Sequence, residues 1–553
     1  MIKYSFKDID RLHLTDILNK TAEIYPKSRA MGFFGEEDIS YEQMHKKVHN
    51  IALFLKHNGI KKGDKVAIWS TNSPNWVISY FAIIKLGAIA VPILPDFTAK
   101  EAHNIYLESD AKILFISKMN YKQLSNDENL KINNVICLDD FSYRLKNGEE
   151  IDKGDSVEKF VKRDDFNDKE LINEELKNED IASIIFTSGT TGNSKGVVLT
   201  HKNVISNLIA GSFVQTFGNN DRFLSVLPLA HTYEFTLGCL IPIAFGSSIY
   251  YLKKPPTAPV LLPALAEIKP TAILTVPLII EKIFFKRIKP ALFGSPVKKA
   301  LMSIPGIKHL LYRIAGKKLY KTFGGNVIFF GIGGAKLNPM VEKFLYLSKF
   351  PYSIGYGLTE TSPLLAGNPV GQQVLQSTGK AVTGVDIKII NKKPKSKEGE
   401  IAVKGPNIMQ SYYNRDDLTK AIFTEDDYLK TGDLGFLDKQ NNLHIRGRIK
   451  NMILGAGGEN IYPEEIESKL NEMEEVDESL VYGVDGKIMA KVVINEDYKH
   501  SHLLLDTKTI LNNIKENANS LSNKFSKINE IIEQKEAFIR TPTNKIKRYL
   551  YID

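Results

Sequence analysis

Helix-like and strand-like apolar patterns alternate between Ser40 and Ser117, and this alternation constrains the fold more than any other feature of the sequence. The predicted segments are Tyr41 to Leu55 (helix), Val66 to Trp69 (strand), Asn75 to Leu86 (helix), Ile89 to Ile93 (strand) and Ile113 to Ile116 (strand). Strands that are separated by helices in this way build a parallel sheet with helices on its faces. Because 553 residues are too many for one hydrophobic core, we expect about two to four domains.

The apolar pattern changes to a period of two residues beyond Ser377. Two alternating runs, Val385 to Ile389 and Glu400 to Lys404, flank a polar stretch and predict a β-rich region. The predicted fold class is therefore α/β with an appended β-rich part. The predicted organisation is an N-terminal domain at 1–449, with parallel α/β subdomains to about 376 and a β-rich subdomain at about 377–449, and a small α+β C-terminal domain at 450–553.

Composition and termini exclude several classes of protein. Cys137 and Cys239 are too few for a disulfide framework and too far apart for a metal site, so we expect reduced, buried thiols. The N-terminal residues contain acids and lack an apolar core, which argues against a signal peptide and for the cytosol. The longest apolar stretches, Trp76 to Leu94 and Thr236 to Leu252, are interrupted by small or charged residues, and neither is predicted to span a membrane.

Basic residues are concentrated between Lys282 and Lys321, a segment that contains eleven lysines and arginines and no acid. The net charge of the whole chain is +9, so without this segment the chain would be slightly acidic. Two interpretations stay open: helices that pack on the core with their lysines in water, or a surface that lies on an anionic membrane or guides an anionic substrate. The aromatic residues here lie in apolar clusters, so we expect no nucleic-acid partner.

A loop of small hydroxylated residues and glycines lies between two apolar runs, Ile184 to Phe186 and Val197 to Leu199, which are each short enough for a buried strand. Glycines let backbone N–H groups turn inward, hydroxyls donate and a lysine adds charge, so a phosphate would gain several bonds of about 1.5–3 kcal/mol each. An ordinary polar loop is the alternative. A Walker A loop is excluded because Lys195 is followed by Gly196 and not by Ser or Thr. The loop is Thr187-Ser188-Gly189-Thr190-Thr191-Gly192-Asn193-Ser194-Lys195-Gly196.

This loop closely resembles the phosphate-binding signature of the AMP-forming, adenylate-forming superfamily, which includes acyl-CoA synthetases, firefly luciferases and peptide-synthetase adenylation domains. Further motifs of that superfamily follow in the same order along the chain, and a strand predicted at Val327 to Phe330 leads into the second of them. They are Leu227 to Glu234 (LPLAHTYE), Gly333-Gly334-Ala335, Gly355 to Glu360 (GYGLTE), Tyr428 to Leu434, Gly447 to Ile453 and Pro542 to Arg548. The chain is most similar to a bacterial long-chain fatty-acid–CoA ligase.

The resemblance implies a set of nucleotide-binding residues. Lys195 would contact the departing phosphates, Thr359 a phosphate oxygen, and Glu360 would offer a hard oxygen ligand to Mg²⁺. Tyr356 would offer a stacking face for adenine, and the Asp433 carboxylate would accept from the ribose hydroxyls. The implied ATP/AMP-binding residues are Thr187, Ser188, Gly189, Thr190, Thr191, Gly192, Gly334, Ala335, Tyr356, Gly357, Asp433 and Arg448.

The same resemblance implies residues for the acid, the thiol and the domain motion. Lys545 would reach the acyl carboxylate and the α-phosphate, and the C-terminal domain would rotate about a hinge at Lys450. The departures are mild: Leu429-Lys430 replaces an aromatic–Arg pair, Asn451 an Asp, and Asn544 the commonest Gly. The implied acyl-binding residues are His231, Tyr233 and Gly355, and the turn implied to shape a coenzyme A tunnel is Gly457-Gly458.

The resemblance implies ATP-dependent activation of a medium-to-long-chain fatty acid through an acyl-adenylate. Coenzyme A then forms the thioester, AMP and pyrophosphate are released, and Mg²⁺ is required. Transfer to a carrier-protein thiol, by a fatty acyl-AMP ligase or acyl-carrier-protein synthetase, is the alternative within this chemistry. A non-catalytic, membrane-associated nucleotide-binding protein is the alternative outside it. We expect a cytoplasmic protein; peripheral membrane contact through 282–321, and a monomeric or homodimeric state, both stay open.

Overall fold

The computed structural model describes residues 4–125, 131–150, 171, 176–187, 194–392, 396–455, 459–522, 526–541 and 545–552. The chain forms two compact units. The first comprises Met1–Thr187, Ser194–Asp386 and Lys404–Phe423, and the second comprises Ile387–Val403 and Thr424–Asp553.

The strands of the described residues are numbered in chain order. They are β1 (Arg29–Phe33), β2 (Ile39–Ser40), β3 (Lys65–Trp69), β4 (Ile89–Ile93), β5 (Ala111–Ile116), β6 (Val135–Cys137), β7 (Ser142–Lys146), β8 (Glu149–Glu150), β9 (Ile181–Thr187), β10 (Lys195–Thr200), β11 (Arg222–Leu224), β12 (Ser248–Tyr251), β13 (Ala272–Thr275), β14 (Phe329–Ile332), β15 (Tyr352–Gly357), β16 (Leu364–Gly367), β17 (Lys380–Ala381), β18 (Asp386–Ile390), β19 (Gly399–Lys404), β20 (Ser411–Tyr412), β21 (Leu429–Leu437), β22 (Leu443–Arg448), β23 (Ile453–Leu454), β24 (Asn460–Ile461), β25 (Val476–Val484), β26 (Lys487–Ile494) and β27 (Glu530–Glu533).

The α-helices of the described residues are numbered in the same way, and two π-helical turns, Glu234–Leu240 and Phe284–Ile288, lie among them. The helices are α1 (Leu14–Ile24), α2 (Tyr41–His57), α3 (Pro74–Lys85), α4 (Ala99–Glu108), α5 (Lys118–Ser125), α6 (His201–Val214), α7 (Ile241–Phe245), α8 (Ala258–Ile268), α9 (Pro277–Ile283), α10 (Lys289–Phe293), α11 (Pro296–Ser303), α12 (Pro305–Thr322), α13 (Pro339–Ser348), α14 (Asp416–Ile422), α15 (Pro463–Leu470), α16 (Glu496–Ser501) and α17 (Thr507–Ser520). Short 3₁₀ turns lie at Phe6–Asp8, Thr359–Thr361, Ile449–Asn451 and Arg548–Leu550.

The first unit is built on two large mixed sheets. One has the strand order β17-β16-β15-β14-β13-β11-β12-β1-β2, and its strands from β15 to β1 are parallel. The other has the order β20-β10-β9-β4-β3-β5-β6-β7-β8, with parallel strands from β9 to β6. Central strands such as β4 and β13 are buried along their whole length, as expected for parallel strands that helices cover on both faces. The α/β class predicted from the alternating patterns is confirmed.

Local sequence signals account for where the helices of this unit begin. Ser40, Thr98 and Thr200 cap α2, α4 and α6. In each case the side chain three residues later accepts a hydrogen bond from the backbone N–H of the capping residue. Strand β4 has the predicted bounds, and α2 extends the predicted helix by two residues, to His57. Cys137 and Cys239 are free and buried, as expected. Among the described residues, no helix combines the length and apolar character that crossing a membrane requires.

Strand β14 differs from its prediction, because it spans Phe329–Ile332 where Val327 to Phe330 was expected. The register explains the shift: Phe330 and Gly331 pair with Ile273 and Leu274 of β13, so Gly331, which follows the predicted strand, belongs to β14. Glycines in a strand interior often mark a close approach by another group.

The second unit contains an antiparallel sheet of order β18-β19-β21-β22 and a smaller sheet of order β25-β26-β27. Helices α15 and α17 cover the smaller sheet, and Ile466, Val481, Ile510 and Ile514 lie in the buried core between them. This is the α+β arrangement predicted for the C-terminal region. The predicted hinge at Lys450 lies between the two sheets, on an exposed 3₁₀ turn.

Candidate active site

The carboxyl ends of four parallel strands, β11, β13, β14 and β15, meet at one edge of the first sheet. Ligand sites in open α/β sheets lie at such an edge. The segments that leave these strands carry most of the predicted residues of the first unit. They are His231 and Tyr233 after β11, Gly334 and Ala335 after β14, and Thr359 and Glu360 after β15.

Tyr233 lies against two glycines, one in β14 (Gly331) and one directly after it (Gly333). A Cβ added to Gly331 would lie 3.1 Å from the Tyr233 hydroxyl oxygen, and one added to Gly333 would lie 3.1 Å from its Cζ. A side chain at either position would crowd the Tyr233 ring. Gly334, with a φ of +86°, then turns the chain outward, and Gly334 and Ala335 are exposed at the sheet edge. The structure thus brings the predicted acyl-wall tyrosine beside the predicted adenine turn.

The GYGLTE segment is held in one conformation by a backbone contact and by two asparagines. A side chain at Gly357 would overlap the carbonyl oxygen of Pro363. The Asn207 side-chain amide donates to the Leu364 carbonyl at 2.7 Å and accepts from its N–H at 3.0 Å. The Asn407 amide donates to the Thr361 carbonyl at 2.8 Å. These contacts fix the 3₁₀ turn that carries Thr359 and Glu360.

Tyr356 and Gly355 belong to β15 itself, where they pair with Ala366 and Gly367 of β16. Tyr356 is buried, with 8% of its surface exposed. Its predicted stacking on adenine, and the acyl contact predicted for Gly355, stay predictions.

Glu360 and Lys195 share a neighbour that the sequence did not point to, Tyr412 of β20. The Tyr412 hydroxyl donates to Glu360 Oε1 at 2.8 Å, and Lys195 Nζ lies 5.1 Å from the centre of the Tyr412 ring. Strand β20 pairs with β10, which begins at Lys195, and the Met409 N–H donates to the Glu360 carbonyl at 2.8 Å. Sheet pairing therefore places a cation, a phenol and a carboxylate together.

Burial, the charge of Glu360 and the hydrogen bond to it all raise the pKa of Tyr412, so Tyr412 stays a hydroxyl donor at neutral pH. No local pattern pointed to Tyr412, Asn207 or Asn407. Their contacts join segments that are between 43 and 157 residues apart in the chain.

Glu360 fits the magnesium role that the resemblance implies. Its carboxylate is half-buried, one oxygen is oriented by Tyr412, and the other makes no hydrogen bond to a described residue. Mg²⁺ binds through one or two carboxylates together with phosphate oxygens and water, so a single oriented carboxylate is a suitable donor set. Within the described residues no cluster of three or more His, Cys, Asp or Glu forms a separate metal site.

Seven predicted residues lie outside the described residues: Ser188, Gly189, Thr190, Thr191 and Gly192 of the phosphate loop, and Gly457 and Gly458 of the tunnel turn. The strands that flank the phosphate loop are described. β9 and β10 are antiparallel neighbours in which Thr187 pairs with Lys195, so the two ends of the loop lie side by side.

Within the second unit, Asp433 and Arg448 lie opposite one another on β21 and β22. Arg448 Nε lies 3.0 Å from Asp433 Oδ1, and only 4% of the Asp433 surface is exposed. Thr431 accepts from the Asp433 N–H at 3.1 Å through its hydroxyl, which helps to fix the turn at Gly432. The structure thus unites the predicted ribose carboxylate with the predicted nucleotide-binding arginine.

The segment that carries Lys545 is anchored by two ion pairs. Arg540 binds Glu478 at 3.0 Å, and Arg548 binds both carboxylate oxygens of Glu467 at 2.6 Å. Between them, the Lys545 N–H donates to the Thr541 hydroxyl at 3.1 Å, and Lys545 itself is exposed. An exposed lysine on an anchored segment can present its ammonium group without ordering a long flexible tail.

Contacts within the second unit also cross the predicted hinge. Arg446, before Lys450, binds Glu398 at 2.7 Å and Glu465 at 3.4 Å, and the Tyr462 hydroxyl donates to Glu398 at 2.8 Å. Rotation about Lys450 would have to break these hydrogen bonds and ion pairs.

A buried carboxyl group, Glu234, follows the predicted acyl-wall residues. Ser225 donates to its Oε1 at 2.6 Å, whereas Oε2 has no hydrogen-bond partner although it is buried. Burial raises the pKa of Glu234 to about 8. Nearby, the Tyr233 N–H donates to His231 Nδ1 at 3.1 Å, which orients the half-buried imidazole. No sequence pattern indicated a protonated carboxyl group at this position.

We expect replacement of Glu234 by Gln to change how stability depends on pH. The unfolded carboxyl titrates near its ordinary value, whereas the folded one keeps its proton to about pH 8. The native protein should therefore lose stability relative to Glu234→Gln as pH rises from about 5 to 8, by up to about 1.4 kcal/mol per pH unit. Melting temperatures of both proteins across this range measure the effect. Exposed Glu267→Gln is the matched control, and parallel curves for native protein and Glu234→Gln would contradict the burial argument.

Comparison with known proteins places the chain in a family. A family model described as AMP-binding enzyme matches residues 18–413. The long-chain-fatty-acid–CoA ligase of Bacillus subtilis is 30% identical over 509 residues, which cover 87% of this chain and 84% of that protein. The peroxisomal long chain acyl-CoA synthetase 6 of Arabidopsis thaliana is 28% identical over 483 residues, which cover 80% of this chain and 66% of that protein.

Solved structures show the same architecture. ATP-bound MatB from Rhodopseudomonas palustris matches with a TM-score of 0.76 at 23% identity, over 98% of each chain. O-succinylbenzoate coenzyme A synthetase from Bacillus subtilis, in complex with ATP and magnesium, matches with a TM-score of 0.75 at 22% identity, over 96% of this chain and 98% of that one. The chain therefore belongs to the AMP-binding enzyme family and has the fold of the adenylate-forming enzymes.

Proposed function

We propose that the protein is an AMP-forming acid–thiol ligase. It would activate a medium-to-long-chain fatty acid with ATP and pass the acyl group to coenzyme A, with release of AMP and pyrophosphate. The observation that carries this proposal is the cluster of Glu360, Tyr412 and Lys195 in the first unit, where Tyr412 lies between the GYGLTE turn and the lysine at the start of β10.

The chemistry requires that the acid be activated, because a carboxylate is a poor electrophile at pH 7. Its oxygen attacks the α-phosphate of ATP and pyrophosphate leaves, so the main task of the protein is positioning and charge stabilisation. Lys195 supplies positive charge to the departing phosphates, and Thr359 and Lys545 contact the reacting centre. Glu360 would hold Mg²⁺, which would supply positive charge against the phosphates of ATP.

The nucleotide and the acid would be held by separate groups. Asp433 accepts from the ribose hydroxyls, with Arg448 fixing its carboxylate, and Gly334 and Ala335 lie along the adenine. Tyr233 and His231 form one wall of the acyl site, since both leave β11 at the active edge. The π-helical turn that follows them, Glu234–Leu240, is wholly buried and largely apolar, which suits an alkyl chain.

The second half-reaction requires a thiol acceptor and a change of domain position. We propose rotation of residues 450–553 about Lys450, which withdraws Lys545 and brings in the Gly457-Gly458 turn. A relative from Arabidopsis thaliana, 27% identical over 542 residues, is named a long-chain-fatty-acid–[acyl-carrier-protein] ligase. That name supports transfer to a carrier-protein thiol as the second candidate function.

A chain-length series tests the acid. Because each buried CH₂ contributes about 0.8 kcal/mol, kcat/KM should rise about fourfold per CH₂ from short acids until the acyl site is filled. Acid-dependent exchange of pyrophosphate into ATP measures the first step without any thiol. A preference for acetate or for an aromatic acid would contradict the fatty-acid assignment, and no exchange with any acid would contradict the ligase itself.

The acceptor is tested by supplying either coenzyme A or acyl carrier protein to the enzyme, with ATP and the best acid of that series. We expect acyl-CoA as the product. Acyl-carrier protein formed in place of acyl-CoA would favour the second candidate function.

A further inference from the structure

Two helices of the basic segment, α11 and α12, have one face in the core and the other in solvent. Met302 of α11, and Tyr312 and Leu319 of α12, are buried in the cluster that includes Phe344 and Phe330. These contacts anchor both helices firmly to the first unit. Their outer faces are then presented on a rigid base and not on a loose loop.

The outer faces of these helices carry large apolar side chains. Leu310 and Ile314 lie one turn apart on α12 and are 59% and 57% exposed, and Val297 on α11 is 69% exposed. Leu301, one turn after Val297, and Ile304, between the helices, are also exposed. Single exposed apolar residues are common on protein surfaces, but five within eighteen residues form a patch that marks an interaction site. We call Val297, Leu301, Ile304, Leu310 and Ile314 the apolar patch.

Exposed cations lie on the same two helices as the apolar patch. Lys317 and Lys321 continue the row of Leu310 and Ile314 along the outer face of α12, because residues three or four apart share a helix face. Other exposed cations on α11 and α12 are Lys298, Lys299, Arg313 and Lys318. The segment from Lys282 to Lys321 contains no Asp or Glu. The patch therefore combines apolar contact with a strong positive charge.

We propose that this face of α11 and α12 docks on the surface of an anionic lipid bilayer. A helix with apolar side chains and a lysine-rich border lies in the interface, with its apolar groups among the acyl chains and its cations at anionic headgroups. Charge complementarity favours this occupant over a second copy of the chain, because two copies of one patch would bring cations against cations. Nucleic acid is disfavoured because the aromatic rings of α12 face the core: Tyr312 is buried, and the partly buried Tyr320 packs against the same core cluster.

The proposal does not depend on the acid that the enzyme uses. It rests on the exposure and charge of residues that lie outside the site at the carboxyl ends of β11 to β15. For a ligase of water-insoluble acids, however, contact with a bilayer would place the enzyme where its substrate is concentrated.

Co-sedimentation of the full-length protein with vesicles tests the proposal. We expect binding to phosphatidylcholine vesicles that contain about a third phosphatidylglycerol, much weaker binding to pure phosphatidylcholine, and loss of binding as NaCl rises from about 0.1 M to 1 M. The double variant Leu310→Ser/Ile314→Ser should lower the partition coefficient about tenfold or more, and Lys317→Glu/Lys318→Glu should do the same.

The matched control is Leu503→Ser/Leu504→Ser, which removes an equally large apolar pair from the second unit, where these residues are 82% and 101% exposed. It should bind vesicles as the native protein does. Acid-dependent pyrophosphate exchange with detergent-dispersed acid should be unchanged in all three variants, which shows that they fold. Absence of binding to anionic vesicles, equal binding to neutral ones, or equal losses in patch and control variants would overturn the proposal. Self-association through the patch without vesicle binding would also overturn it.

Discussion

Replacing Glu360 by Ala is expected to lower the rate of acyl-adenylate formation about 10²–10³-fold, which corresponds to about 3–4 kcal/mol of transition-state stabilisation. The Glu360 oxygen that makes no hydrogen bond to a described residue is the proposed ligand of Mg²⁺. Loss of the carboxylate should also raise the Mg²⁺ concentration that ATP binding requires. Acid-dependent pyrophosphate exchange, measured across a Mg²⁺ titration, reports both effects.

The variant Tyr412→Phe distinguishes the role of the Glu360 carboxylate from that of the Tyr412 hydroxyl that orients it. This variant keeps the ring near Lys195 and the charge of Glu360 but removes the 2.8 Å hydrogen bond. We expect a smaller loss of the adenylation rate, of about tenfold, since only one hydrogen bond to a charged group is removed. Equal losses in Glu360→Ala and Tyr412→Phe, with no change in Mg²⁺ dependence, would show that Glu360 acts through its contact with Tyr412 and not as a metal ligand.

Replacing Lys545 by Ala is expected to separate the two half-reactions. Adenylation should fall about 10²–10³-fold, because the proposed contact of the Lys545 ammonium group with the reacting phosphate is lost. Thioester formation from supplied acyl-AMP should be nearly unchanged, because the proposed rotation withdraws Lys545 before the thiol reacts. The two rates are measured separately, by pyrophosphate exchange and by acyl-CoA formation from acyl-AMP.

Lys547→Ala is the matched control for Lys545→Ala, because Lys547 has the same charge and lies in the same segment, between the ion pairs of Arg540 and Arg548. It should leave both half-reactions close to those of the native protein. Equal loss of both half-reactions in Lys545→Ala would refute its role in adenylation. A loss in Lys547→Ala as large as that in Lys545→Ala would assign the effect to the anchored segment as a whole.

In the first unit, local sequence patterns predicted some element boundaries correctly and misplaced others. The strand β4 was predicted with its observed bounds, and the start of α2 was marked by Ser40 and its capping box. These features depend on residues within a few positions of one another, so the local sequence is sufficient to predict them. The prediction placed strand β14 two residues too early, because its bounds are set by pairing with β13 and β15.

The raised pKa of Glu234 could not be predicted from the sequence, for a different physical reason. The LPLAHTYE stretch predicted an acyl wall, yet nothing in it indicated that its last residue is buried with one oxygen unpaired. Protonation depends on how completely the neighbouring elements exclude water. That property belongs to the packed protein and not to any short segment.

The sequence by itself determined the α/β class, the positions of several strands of the first unit, and an ordered set of motifs from Thr187 to Arg548 that resembles one superfamily. Those features are local, because side-chain periodicity, turn residues and capping act within a few positions. Only the tertiary structure decided that Tyr412 orients Glu360, that Asn207 and Asn407 brace its turn, and that the apolar patch on α11 and α12 faces solvent. Each of these depends on which strands pair and which helix faces the core covers, and both are set by contacts between residues far apart in the chain.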